Sequence, residues 1–377
     1  MKKSDIFWQT YLSLEKEAIE VSRYIFITDE KIENVKGEEI RKHDETQLNV
    51  YSPRIADLLI RCCVQIEAIS KELYYDNGGK KKRGDNSIFF DEDCLKLIDK
   101  KWDTHKKKVL VTNPYFNLTK KENTILRPLK EAHKRQGTYW ERAYQAIKHD
   151  RYSSMYMGTV KAFIQALAAL YLLNLYYRKD SWIVNVNEVH NANFSMGSAL
   201  FSVMPPEKGQ LWYGNNPVIS ESPYVVKYVE SDYKQIEELQ QKGNQAINSY
   251  ILSQPELNED GFVRQLLAAA KKAAEEDSKQ RVMIIWEITK YGMNKKIPSS
   301  LPFEEKKKRL LNSREYNGFI YQNNSHLKPE ELTENNIQKE IEKVAICWGM
   351  EIEKEKGLLQ WFPTAFNSAN CRIFIPD

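Results

Sequence analysis

Arg142 and His149 lie seven residues apart in the segment Trp140-Glu141-Arg142-Ala143-Tyr144-Gln145-Ala146-Ile147-Lys148-His149-Asp150-Arg151. On a helix that spacing is about 700°, so the two share a face, two turns and about 10 Å apart along the axis. Gln145 lies between them. Trp140, Tyr144 and Ile147 fall on the opposite face and suit a core. Cleavage of RNA without a metal asks for few groups. One takes the proton of a 2′-hydroxyl, one gives a proton to the leaving 5′-oxygen, and a cation stabilises the charge that builds up at phosphorus. Histidine titrates in the range for the proton work. Arginine offers a permanent charge and a planar fork for phosphate oxygens. Lys148, Asp150 and Arg151 are supporting candidates, Arg151 for phosphate or helix carbonyls and Asp150 for orienting a histidine. The plainer reading of His149 is a basic residue at a helix C-terminus, favoured by the dipole there.

Arg142-x6-His149 resembles the R-x(4–6)-H signature of the HEPN superfamily. The wider pattern Trp140-x3-Tyr144-Gln145-x-Ile147-Lys148-His149-x-Arg151, followed by an Ala- and Leu-rich helix, is similar to the form seen in bacterial HEPN-like proteins. An upstream segment opening Tyr51-Ser52-Pro53, with Ile66-Glu67 and Lys71, resembles that group too. The resemblance covers about residues 1 to 180 and does not extend to 181 to 377. It implies a helical bundle and a metal-independent endoribonuclease, working as a homodimer whose composite site takes Arg142 and His149 from each copy. His149 would move the proton, Arg142 would hold the phosphate, and the products would carry 2′,3′-cyclic phosphate and 5′-hydroxyl ends. It further implies a bacterial anti-phage defence or toxin component, with a possible antitoxin or defence-system partner. Ala143 stands where catalytic members usually carry a polar residue. The alternative is therefore an inactive HEPN-like module that binds RNA or a protein. A second R-x(4–6)-H match, Arg127 to His133, begins Arg127-Pro128, and the proline places Arg127 at an N-cap outside any helix.

Other chemistry finds little support. Cys62, Cys63, Cys94, Cys347 and Cys371 are scattered, with no C-x-x-C, which argues against a disulfide framework and a zinc ribbon. Neighbouring Cys62 and Cys63 point about 100° apart on a helix and read as core thiols. No His or Cys cluster has zinc spacing, Gly78-Gly79 lacks the strand-then-helix frame of a phosphate loop, and no G-x-S-x-G elbow occurs. No metal and no cofactor are expected. The terminal aromatics Trp348, Trp361, Phe362 and Phe366 read first as core and second as base-stacking platforms.

Charge is uneven. Lys80 to Arg135 holds 16 Lys+Arg against 8 Asp+Glu, in a chain whose formal net charge is +4. Lysine runs are commonly a solvated face. Beside a candidate nuclease helix, Lys80, Lys81, Lys82, Arg83, Lys106, Lys107 and Lys108 are candidate RNA-binding residues.

The elements that must position these groups are mainly helical. Periodicity predicts an amphipathic helix over about 5–26, a polar loop over 28–49, and a helix from Ser52-Pro53 to about Tyr75. Short helices are expected over 91–102 and from Pro128 to about Arg135, with 109–118 extended or irregular. Thr138-x-x-Glu141 fits a capping box for a helix to about Arg151. A break follows near Ser153 to Gly158, then a helix over 156–177. Residues 181–229 read as short strands and turns. Helices are expected over 232–252, 261–291, 302–311 and from about 330 to 347, with an irregular or extended tail. The fold class is mainly α: an HEPN-like bundle over 1–180, a β- and turn-rich connection over 181–231, and a helical C-terminal domain of 232–377.

The composition suits a folded chain. Its 377 residues are 42% hydrophobic and 29% charged with near balance, unlike a disordered protein. At this length about two or three domains are expected. The start Met1-Lys2-Lys3-Ser4-Asp5 has no apolar core of a signal peptide. The stretch Ala162 to Tyr177, interrupted by Gln165 and Asn174, falls short of the roughly 18 apolar residues of a membrane span. A cytoplasmic protein that engages no membrane is therefore expected.

Overall fold

The computed structural model describes residues 2–35, 38–80, 88–134, 137–206, 211–212, 220–258, 261–276, 278–320, 327–355 and 368–377. The chain divides into two compact units, residues 1–229 with 370–377, and residues 230–369. Both are built mainly from helices.

In the first unit the helices are α1 (Lys3–Val21), α2 (Pro53–Asp76), α3 (Lys96–Trp102), the single turn α4 (Lys121–Thr124), α5 (Tyr139–His149), the single turn α6 (Arg151–Ser154) and α7 (Val160–Arg178). α7 forms the centre. It is uncharged from Ala162 to Tyr177 and buries residues on all its faces, as a helix apolar all round must. It packs against α1, α2 and α5. Among the described residues it is the one helix long and apolar enough to cross a membrane, and 83% of its apolar stretch is buried in the fold. Its start is capped by the Thr159 hydroxyl, which accepts from the Ala162 N–H. α2 starts as its residues dictate, with the Ser52 hydroxyl accepting from the Ile55 N–H and Pro53 in the first turn. Cys62 and Cys63 are both fully buried.

The strands are β1 (Glu30–Val35), β2 (Glu38–His43), β3 (Val109–Val111), β4 (Ile125–Leu126), β5 (Trp182–Asn185), β6 (Phe201–Val203), β7 (Leu211–Trp212), β8 (Val225–Tyr228) and β9 (Asn370–Phe374). They form a β1–β2 hairpin, a sheet of order β4-β3-β6 and a sheet of order β5-β9-β8-β7. β9 pairs antiparallel with both β5 and β8, Ile373 lying opposite Trp182 on one side and Val226 on the other. Of the tail, residues 370–374 are thus extended, and 370–377 belong to the first unit. Residues 181–229 likewise belong to that unit and are not a separate connection.

The structure departs from the periodicity elsewhere too. The segment expected to be a loop over 28–49 holds the β1–β2 hairpin, whose β2 side chains are exposed throughout. The helix expected over 91–102 opens with a π-helical turn, Phe90–Leu95, before α3. Residues after Pro128 form turns instead of a helix.

The second unit contains α8 (Glu230–Ser253), α9 (Gly261–Glu276), α10 (Ser278–Lys296), α11 (Phe303–Leu311), α12 (Arg314–Ile320) and α13 (Ile337–Glu355). α9 and α10 replace the single helix expected over 261–291. α10 and α13 approach closely because a Cβ at Gly349 would lie 2.7 Å from the Trp286 ring. Trp348 is buried in this core, whereas Trp361, Phe362 and Phe366 lie outside the described residues.

Candidate nucleic-acid site

α5 begins where its sequence demands. The Thr138 hydroxyl accepts from the Glu141 N–H, and the Glu141 carboxylate accepts from the Thr138 N–H in return. Glu141 is itself buried, and burial pushes its carboxyl up to about 7 against the pull of the Thr138 donors. On the inner face Trp140, Ala143, Tyr144 and Ile147 are buried. The Trp140 indole N–H donates to the Pro128 carbonyl at 2.8 Å. The Tyr144 hydroxyl donates to Glu67 of α2 at 2.8 Å. Lys148 lies 3.6 Å from the same carboxylate and over the Tyr144 ring, so it braces α5 against α2.

Arg142 and His149 are both exposed and Gln145 is half-buried, the arrangement the spacing predicts. Arg142 makes one long contact, 3.5 Å to the Gly137 carbonyl. His149 has no hydrogen-bond or ion-pair partner among the described residues. The helix ends there because Asp150 leaves helical geometry and caps α6, its carboxylate accepting from the Ser153 N–H at 3.1 Å. Those Ser153 donors hold the Asp150 carboxyl below its usual range. Asp150 is therefore committed to the cap and does not orient His149. Arg151 is exposed in the first turn of α6, and Tyr152 beside it is 96% exposed.

The basic tract divides. Lys80 is exposed, while Lys81, Lys82 and Arg83 lie outside the described residues. Lys106 is exposed and paired with Asp103 at 2.7 Å. Lys107 is only 2% exposed, and its ammonium donates to the carbonyls of Ser220 and Ser222. Burial pushes that ammonium down to about 8. Lys108 is paired with Glu221, which also takes Arg127. Lys107 is thus a structural residue and not an RNA contact, and Lys108 is already neutralised. The run of three lysines reads as surface only while the carbonyls and the carboxylate that meet it are unknown.

A second cluster lies at the end of the β3–β4 ladder. α3 is closed by Asp103, whose left-handed backbone (φ 50°, ψ 46°) turns the chain back on the helix. The reversal brings Thr104 and His105 onto Asp99. Asp99 accepts from the His105 N–H at 2.7 Å and from the Thr104 hydroxyl at 3.0 Å, and the His105 Nδ1 lies 2.9 Å away. Its other oxygen faces His133 Nε2 at 3.6 Å. Burial pushes the Asp99 carboxyl up, but the His105 and Thr104 donors together hold it below the usual range. Arg127, the motif partner of His133 in sequence, points to Glu221 instead. Spacing alone did not reveal the Asp99–His105 pair. The signal available was an Asp and a His flanking the Asp103-Thr104 reversal.

Compared with known proteins, no family model, curated protein or solved structure matches the chain.

Proposed function

We propose that the first unit is a HEPN-like helical bundle acting on RNA, a metal-independent endoribonuclease of a bacterial defence or toxin system in the cytoplasm. The observation that carries this reading is α5 itself. It is anchored on its aromatic face, while the opposite face holds out Arg142, Gln145 and an unpartnered His149. The packing of α5 on α2 through Tyr144 and Glu67 supports a bundle that holds this face rigidly. His149 acts as the proton-transfer group and Arg142 as the phosphate ligand. The two stand about 10 Å apart along one helix, too far for one chain to set both on one phosphate. A homodimer that brings two α5 faces together supplies the missing pair.

The same separation favours a second reading, in which the face binds RNA or a partner protein without cutting. Cleavage of a mixed RNA pool in excess EDTA, with His149→Ala and Arg142→Ala run beside wild type, decides between them. The enzyme reading expects both variants to lose at least about 100-fold in rate, with 2′,3′-cyclic phosphate ends on the wild-type products. Intact RNA with wild type, and RNA affinity that falls in Arg142→Ala, would leave the binding module standing.

A further inference from the structure

We propose that Asp99, His105 and His133 form a second acid–base centre, held within one chain, that cleaves single-stranded RNA at a 2′-hydroxyl. The inference rests on the RNA substrate proposed above but not on Arg142 or His149.

The geometry supplies the parts in one place. His105 Nδ1 reaches both oxygens of the Asp99 carboxylate, at 2.9 and 3.1 Å, and His133 Nε2 lies 3.6 Å from one of them. Two imidazoles beside one carboxylate are the groups that a general base and a general acid require. The cluster is not sealed: the His105 side chain is 39% exposed and that of His133 22%, against 12% for Asp99. His105 uses Nδ1 toward Asp99, which leaves Nε2 for a substrate, the division of labour seen when a carboxylate orients a catalytic histidine. Exposed Lys130 and Lys134 flank His133 in the chain and offer charge to a phosphate backbone.

In the step, the His105 Nε2 takes the proton of the 2′-hydroxyl as the 2′-oxygen bonds to phosphorus. The bond from phosphorus to the 5′-oxygen breaks, its electron pair stays on that oxygen, and the His133 imidazolium protonates it. The products are a 2′,3′-cyclic phosphate and a 5′-hydroxyl, and a proton returned from His105 to His133 through water restores the pair. No metal, oxidant or other co-reactant enters. Asp99 is a positioning residue.

The test uses the full chain in EDTA with a fluorescent single-stranded RNA oligonucleotide, and the same oligonucleotide with 2′-deoxy sugars as control. In a chain already carrying His149→Ala, where the α5 site no longer contributes, His105→Ala and His133→Ala are each expected to lose at least about 100-fold of the remaining kcat, with RNA affinity and melting temperature unchanged. Added imidazole is expected to restore part of the His105→Ala rate, which a structural histidine would not show. Asp99→Asn is expected to lower kcat while KM stays within about twofold, because it disturbs the orientation of His105 and not the binding cations. Rates in both double variants equal to that of the His149→Ala chain overturn the proposal. If His149→Ala alone is inactive, the α5 site stands and this centre falls. If His149→Ala keeps the full wild-type rate and adding His105→Ala or His133→Ala abolishes it, this centre stands and the α5 site falls. Cleavage of the deoxy control, or a wild-type protein that binds RNA without cutting it, also overturns it.

Discussion

Glu141 couples the candidate helix to pH. In the folded protein its carboxyl is pushed up to about 7 by burial, from an ordinary value of 4.5. Between those values the folded state holds more protons than the unfolded state, so stability falls as pH rises. The contribution is fully present below about pH 4.5 and gone above about pH 7, and it amounts to about 3 kcal/mol at most. Glu141→Gln keeps a carbonyl for the Thr138 N–H, so the capping box survives, while the ionisation is removed. The expected outcome is a urea midpoint that declines from pH 4.5 to 8 in wild type and stays nearly level in the variant. Equal slopes in the two proteins would assign the titration to another group. His149, two turns further along the same helix, tells a different story at the same scale. It is exposed and unpartnered, so His149→Ala should change RNA cleavage and leave the melting curve where it was.

At the scale of elements, the first unit depends on how closely the Met155–Gly158 turn approaches α2. A Cβ at Gly158 would lie 2.8 Å from the Ala56 Cβ and 3.0 Å from Ile147 Cδ1. Gly158→Ala must therefore push α2 and α5 apart, a repacking that costs about 1–3 kcal/mol. Ala56→Gly in the same chain should recover much of the loss in a urea titration, since it removes the nearest atom. A single variant as stable as wild type would show that the contact relaxes freely. The helices concerned were legible in the sequence, and for local reasons. Ser52-Pro53 and Thr138-x-x-Glu141 carry their own caps, and the 3.6-residue period of Ile55, Leu58, Leu59, Cys62 and Ile66 marks a buried stripe. The β1–β2 hairpin was not legible, because the β2 side chains are all exposed and leave no apolar alternation to read. The same division runs through the candidate chemistry. The face of α5 follows from helix geometry alone. The meeting of Asp99 with His105 and His133 depends on a left-handed residue and on a turn where a helix was expected, and the burial of Lys107 depends on carbonyls far along the chain.

The whole molecule is governed by where the chain leaves the first unit and where it returns. It leaves after β8 and comes back as β9, and these two strands are antiparallel neighbours, with the Val229 N–H donating to the Asn370 carbonyl at 3.0 Å. The second unit, Glu230–Ala369, therefore occupies the place of a hairpin turn. It has a core of its own, formed by residues such as Ile251, Ile288, Val344 and Trp348. Replacing 230–369 by an Asn-Gly turn should leave the first unit folded, because a two-residue loop of that type joins antiparallel strands directly. Ending the chain at 369 should do the opposite. It removes the strand between β5 and β8, buried Cys371 and Ile373, and the Pro376 carbonyl that accepts from the Trp102 indole N–H at 2.8 Å. Trp102 closes α3, so that truncation also loosens the helix that carries Asp99. Near-UV circular dichroism and urea titration are expected to give one cooperative transition for the excised form and a lost or strongly weakened one for the first unit of the truncated form. A folded first unit in the chain ending at 369 would mean that β9 is an accessory strand. An unfolded excised form would mean that the second unit contributes more than a connection between β8 and β9.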